Sequence, residues 1–188
     1  MRDLLEVLRV QRHDFMNHLQ VISGLLQLKK YDRAGDYIKE VAEELNRAAV
    51  VMKLGSPGIT GVILNATLAA SKRDIVINST IETTLGFGPG IEIAVTEILG
   101  EMLSTAIHTA EVSPCVAGSI DFEIRERDGE CCFQVSYHSR ENPDSLALAS
   151  SIVFMEDMAA KVKGRLITGA SAGGVTVISL VVPVHCKE

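Results

Sequence analysis

The chain has 188 residues, 47% of them hydrophobic and 22% charged, so it is too apolar to be disordered and long enough for one compact domain or two small ones. A net charge of −6, with no segment rich enough in Lys and Arg to neutralise phosphates, excludes a nucleic-acid module and points to protein partners. The four cysteines, Cys115, Cys131, Cys132 and Cys186, lack zinc-type spacing and read as buried thiols of a reducing cytosol, the adjacent pair facing opposite sides of a strand.

Arg2, Asp3, Glu6 and Arg9 interrupt what would be the apolar core of a signal peptide, and the uncharged stretches 54–71 and 166–184 carry too much Gly, Ser, Thr and Pro to span a membrane. The expectation is a cytoplasmic chain, without a membrane segment, that receives its signal from another protein. Residues 3–30 form a long amphipathic helix, with Leu5, Leu8, Phe15, Leu19, Ile22 and Leu26 at gaps of three and four once Arg12 fills one seam position. Tyr31-Asp32 is a tight turn with Asp32 as N-cap, and a second helix follows from Arg33 to Leu54. Helices joined so closely lie antiparallel, and stripes this wide are usually buried by dimerising into a four-helix bundle. The face bearing Lys39, Glu40, Glu43 and Glu44 reads as solvated.

Gly55-Ser56-Pro57-Gly58 breaks the second helix and marks a domain boundary. Beyond it the spacing predicts a helix over 59–71, a strand over 75–82 and a longer helix over 91–110. A hairpin of strands 120–125 and 131–137 turns on Asp128-Gly129, and a helix over 145–162 precedes closing strands over 166–168 and 175–182. Helices layered on one face of a mixed sheet make this part an α+β module. Gly86-Phe87-Gly88-Pro89-Gly90 is a plain connector, because Pro89 removes an amide donor and no Lys-Ser/Thr follows.

The chemistry is suggested by Arg12-His13-Asp14-Phe15-Met16-Asn17 in the middle of the first helix. His13, Asn17, Gln20 and Gly24 step by four, three and four, forming one polar ridge that should face solvent. An imidazole on a rigid exposed face is free to attack phosphorus, and phosphoryl transfer asks for little beyond positioning and charge stabilisation. Asn17 can orient a water or a phosphoryl oxygen. Arg12 and Asp14 offer a positive charge and a proton acceptor, although neighbours in sequence point about 100° apart on a helix. Spacing alone does not separate His13 from an ordinary solvated histidine, which is how His18 reads.

The run from Arg12 to Leu28, RHDFMNHLQVISGLLQL, followed by Tyr31-Asp32-Arg33-Ala34, resembles the helical hairpin of the sporulation initiation phosphotransferase B family. It is also similar to the dimerisation regions of citrate/malate-type sensor histidine kinases. The resemblance implies that His13 is the phosphorylated residue, Asp14 its acidic neighbour and Asn17 the residue that assists dephosphorylation of the partner.

The remaining residues resemble the ATP-binding domain of those kinases in frame but not in chemistry. Glu101 and Thr105 stand where the family's magnesium- and phosphate-holding asparagines belong, and residues 135–142 offer neither the adenine-gripping Asp nor its glycines. Residues 144–150 lack the glycines of a phosphate lid, and only the Gly164-Arg165-Leu166 and Gly173-Gly174-Val175 frame persists. His108, His138 and His185 do not gather at metal-ligand spacing.

The expected protein is therefore α+β: residues 1–54 a helical hairpin forming a dimeric four-helix bundle with the phosphoacceptor, residues 59–188 a degenerate histidine-kinase ATPase-like domain. Its expected activity is histidine phosphotransfer in a two-component phosphorelay, between response-regulator aspartates through His13 and without ATP. No cofactor is expected to bind tightly, and Mg2+ should come from the partner receiver domain. Two alternatives remain open: the cytoplasmic part of a sensor kinase with a divergent ATP site, and a non-catalytic regulator that binds kinases or receivers.

Overall fold

The computed structural model describes residues 2–84, 87–110, 118–139, 146–170 and 174–184, apart from the side chains of 2–11, 13, 14, 43–48, 50, 89 and 146–148. The chain divides into two compact units, Met1–Arg47 and Ala48–Glu188.

The first unit is built on α1 (Arg2–Gln27) and most of α2 (Tyr31–Val51). The turn between them lies at 28–30, two residues earlier than the expected Tyr31-Asp32. Lys30 N–H bonds the Leu25 carbonyl and Lys29 N–H that of Leu26, both at 2.9 Å, with Lys29 at φ 56°. This is a Schellman stop, and a lysine, not the usual glycine, takes the left-handed position. Asp32 consequently sits inside the first turn of α2, where its charge complements the helix dipole, and is not the N-cap.

In the second unit the end of α2 already belongs to the core: Val51, its last residue, and Leu54 just beyond it are buried with the apolar side chains of the sheet. Ser56 then caps α3 (Pro57–Ser71), its Oγ accepting the Ile59 N–H at 3.3 Å and donating to Glu92 Oε1 at 2.6 Å. Pro57 at the first helical position costs no hydrogen bond, and the Glu92 carboxylate lies where the dipole of α3 favours negative charge.

Next come β1 (Ile75–Glu82), α4 (Pro89–Thr109), β2 (Gly118–Arg127), β3 (Glu130–His138), α5 (Leu146–Lys161), β4 (Arg165–Ala170) and β5 (Val175–Pro183). The sheet order is β1-β2-β3-β5-β4, with β1 parallel to β2 across the α4 crossover and every other pair antiparallel. Asp128 and Gly129 form the expected two-residue turn, both at positive φ (51° and 77°), the type I′ geometry that matches strand twist.

One face of the sheet is apolar. Ile120, Phe122 and Ile124 of β2, Cys131, Phe133, Val135 and Tyr137 of β3, and Ile178, Leu180 and Val182 of β5 are buried with Val95, Ile98, Leu99, Met102 and Leu103 of α4. The other face carries charge: Arg165 pairs with both Glu130 oxygens at 2.7 and 2.8 Å, and Arg125 with Glu123 at 3.0 Å. Cys132 is half-buried on that charged face, so the expectation of buried thiols holds fully for Cys131 and only in part for Cys132; Cys115 and Cys186 lie outside the described residues. Gly164 is required where α5 turns into β4, since a Cβ there would meet the Val181 carbonyl and Val182 Cγ1 at 2.8 Å.

Two consequences are measurable. Removing the Ser56 hydroxyl deprives the α3 amide and the Glu92 carboxylate of a partner together, so Ser56→Ala should lower stability in urea unfolding by about 2 kcal/mol. Burial pushes the Cys131 thiol from 9.0 up to about 12. The unfolded chain therefore gives up that proton first, and stability present below pH 9 should be lost as pH rises towards 12. Cys131→Ala should flatten that alkaline loss in pH-dependent denaturation.

Candidate functional site

Arg12, His13, Asp14 and Asn17 all lie in α1, within about one and a half turns of each other. Arg12 and Asn17 are exposed, as is Gln20 farther along the same ridge. The side chains of His13 and Asp14 lie outside the described residues. An uninterrupted helix of 26 residues holds the four positions, so their spacing is set by helical geometry and does not depend on a loop.

Phe15, Met16, Leu19 and Leu26 of α1 remain 45–54% exposed, as does Ile38 of α2 at 49%. Ala34 is buried. His18, read from the sequence as an ordinary histidine, is half-buried and its Nδ1 lies 2.9 Å from the Tyr37 hydroxyl across the helical pair. The antiparallel arrangement inferred from the short connection was the signal that could have brought these two positions together.

In the second unit, the expected replacements for the kinase asparagines both lie on α4, Glu101 bonded through its side chain and Thr105 buried. Glu101 is half-buried on α4, and its Oε1 accepts a 2.6 Å hydrogen bond from Ser151 Oγ of α5. Thr105 is 8% exposed. Its carbonyl lies 2.8 Å from Thr109 Oγ1, which is 3.0 Å from the Tyr137 hydroxyl. With one proton to give, Thr109 donates to the carbonyl and accepts from the tyrosine. These bonds tie α4 to α5 on one side and to β3 on the other. His138 is exposed at the end of β3; residues 140–145, 171–173 and 185–188, which include parts of the expected adenine and lid segments and His185, lie outside the described residues.

A groove of about 290 Å³ runs between α3 and α4, with Val62, Ala66, Ala69, Gly100 and Ile107 among its lining residues. Its polar fittings are Asn65, Ser104 and His108, the last held by a 2.8 Å contact between its Nδ1 and the Ser104 carbonyl. No Lys or Arg lines it. Among the described residues no group of three or more His, Cys, Asp or Glu could hold a metal ion, and no helix is long and apolar enough to cross a membrane.

Residues 1–54 match the family described as "Sensor_kinase_SpoOB-type, alpha-helical domain". The sensor histidine kinase DcuS of Escherichia coli K12 is 27% identical over 128 residues, 66% of this chain and 23% of DcuS. Sporulation initiation phosphotransferase B of Bacillus subtilis 168 is 38% identical over 55 residues, 29% of each chain. The chain thus spans less than a third of the length of either relative. Among solved structures, the Acinetobacter baumannii histidine kinase AdeS superposes with a TM-score of 0.54 at 11% identity, covering 93% of this chain and 98% of that one, a likeness of fold. The helical pair that bears His13 thus matches the sensor-kinase SpoOB-type alpha-helical domain, and the chain is related to sporulation initiation phosphotransferase B and to sensor histidine kinases.

Proposed function

We propose that the chain is a histidine phosphotransferase of a two-component phosphorelay, carrying a phosphoryl group on His13 between aspartates of response-regulator receiver domains in the cytoplasm. The observation that carries the reading is the Arg12-His13-Asp14-Phe15-Met16-Asn17 run, set in a continuous helix of a SpoOB-type alpha-helical domain. In the transfer, one imidazole nitrogen of His13 attacks phosphorus and an N–P bond forms. The P–O bond to the receiver aspartate breaks, the aspartate leaves as a carboxylate, and the second imidazole nitrogen keeps its proton. Asn17 lies one turn from the nucleophile, able to orient a phosphoryl oxygen or the water that would compete for it. Arg12 supplies positive charge, and Asp14 offers a carboxylate to accept a hydrogen bond from the imidazole N–H that is kept.

Phosphoryl transfer needs charge neutralised on the transferring oxygens. The receiver is the proposed source of Mg2+, and no step is assigned to a metal held by this chain. Two observations support transfer without ATP: Glu101 puts a carboxylate, which would repel a triphosphate, where the resemblance to the kinases implies an asparagine, and that carboxylate is already bonded to Ser151. The exposed Phe15, Leu19 and Leu26 of α1 support a homodimer, since a second copy across a two-fold axis would bury them in a four-helix bundle.

A second reading, the cytoplasmic part of a sensor kinase, is favoured by one observation: the relation to DcuS extends over 66% of the chain, well beyond the helical pair. One experiment separates the two. Receiver domains charged with acetyl phosphate in Mg2+ should pass label onto wild-type protein and not onto His13→Gln, while MgATP alone should leave the chain unlabelled. EDTA should stop the transfer by stripping the receiver. Self-labelling of pure protein from MgATP would establish the kinase reading instead, and a wild type indistinguishable from His13→Gln across the receivers would refute the relay.

A further inference from the structure

The phosphorelay reading does not account for a polar contact inside the helical pair. His18 Nδ1 of α1 and the Tyr37 hydroxyl of α2 are 2.9 Å apart, and their rings meet at 5.9 Å between centroids with a 48° tilt. Both side chains are half-buried. Apolar side chains can slide past one another at small cost, but a directional bond between two partly desolvated groups is satisfied in one register only. Rotating α1 or shifting α2 by a turn would leave both groups unpaired. The Schellman stop fixes the pair at its turn end, through Lys29 and Lys30, and the His18–Tyr37 bond fixes it nearer the phosphoacceptor.

We infer that His18 and Tyr37 are a positioning pair for phosphoryl transfer at His13, setting the rotation of α1 against α2 and so the direction from which an aspartyl phosphate is met. The inference rests on the phosphorelay reading. Position 13 is about 7.5 Å from position 18 along the helix and about 140° around it, so α1, as a rigid rod, carries any rotation at His18 directly to the nucleophile's backbone. In-line attack is sensitive to such motion, a misplacement of about 1 Å costing up to about a hundredfold in rate. Neither residue touches the transferring group in this scheme; they act through the helix.

The test is single-turnover transfer from an acetyl-phosphate-charged receiver domain to the full chain, separating the rate constant at saturating receiver from the amplitude. Tyr37→Phe keeps the ring and removes the hydroxyl, and His18→Ala removes the other partner. Each should lower the rate constant about tenfold, with amplitude and half-saturating receiver concentration unchanged. The double variant should be no slower than the slower single, because one bond is being removed twice. His18→Asn places an amide atom near the Nδ1 position and should stay within about threefold of wild type. A Tyr37→Phe rate constant within about twofold of wild type, multiplying losses in the double variant, or lost amplitude at an unchanged rate constant would each overturn the inference. Should wild type take no label, the phosphorelay reading fails, and amide exchange judges the pair separately. Exchange about fivefold faster at residues 18–25 and 34–38 in Tyr37→Phe supports the brace, and unchanged exchange removes it.

Discussion

A sheet with one apolar and one charged face is stable only where something covers the apolar side, and in the second unit α4 is the element on which that cover depends. It lies between the parallel strands β1 and β2 in sequence, so the crossover that makes the parallel pair possible also delivers Val95, Ile98, Leu99, Met102 and Leu103 onto Phe122, Phe133 and Leu180. Three polar contacts between elements of the unit also start from this helix. Glu92 in its first turn receives the cap of α3, Glu101 in its middle receives Ser151 of α5, and Thr109 at its end meets Tyr137 of β3. Displacing α4 would therefore break both the apolar cover and three ties between neighbouring elements.

The first unit obeys the opposite rule. Its two helices keep Phe15, Met16, Leu19, Leu26 and Ile38 in contact with solvent, and Ala34 is its one buried apolar residue among those described. A helical pair in that condition is an incomplete core, and its internal geometry has to be held by something other than apolar burial. The Schellman stop and the His18–Tyr37 bond are directional and hold without a closed core, as the proposed packing against a second copy would require.

Much of this was legible in the sequence where a local rule governs. Alternation fixed the faces of β3, and Asp128-Gly129 can hardly do other than turn a hairpin. The strand over 75–82 matches β1 in full, its inward Ile75 and Ile77 alternating with exposed Val76 and Asn78. The stop after α1 was misplaced because the left-handed residue is Lys29; α5 ends the same way on Lys163, at φ 55°, where only the following Gly164 hinted at the turn. A lysine in that conformation pays a steric cost that the two Schellman bonds offset, and nothing in its side chain announces it. Ser151–Glu101 was invisible for another reason, since it joins residues 50 apart in sequence and their meeting depends on how whole helices pack, whereas His18–Tyr37 was within reach of the antiparallel reading but not of any local rule. The resemblance set Glu101 where the kinases hold an asparagine, and it took the fold to show that Ser151 bonds it.

In the proposed relay, the engagement of Glu101 within the protein bears on why a histidine could serve without a nucleotide site beside it. A kinase must bring its own phosphoryl donor, and so needs a cleft, a cation and backbone amides aimed at phosphate. An acceptor that meets a donor already bound to magnesium on another protein needs none of these, and an acidic chain gains nothing by keeping an open phosphate site that its own carboxylates would repel. What it needs is a nucleophile on a rod that does not flex, with room for a second protein to approach. An uninterrupted helix, clamped to its partner helix by directional bonds, meets that need with fewer parts than a pocket. On the proposed function, the Ser151–Glu101 hydrogen bond between α4 and α5 follows from the same logic: it pairs two half-buried polar side chains that no nucleotide would need to part, and it ties the two helices together.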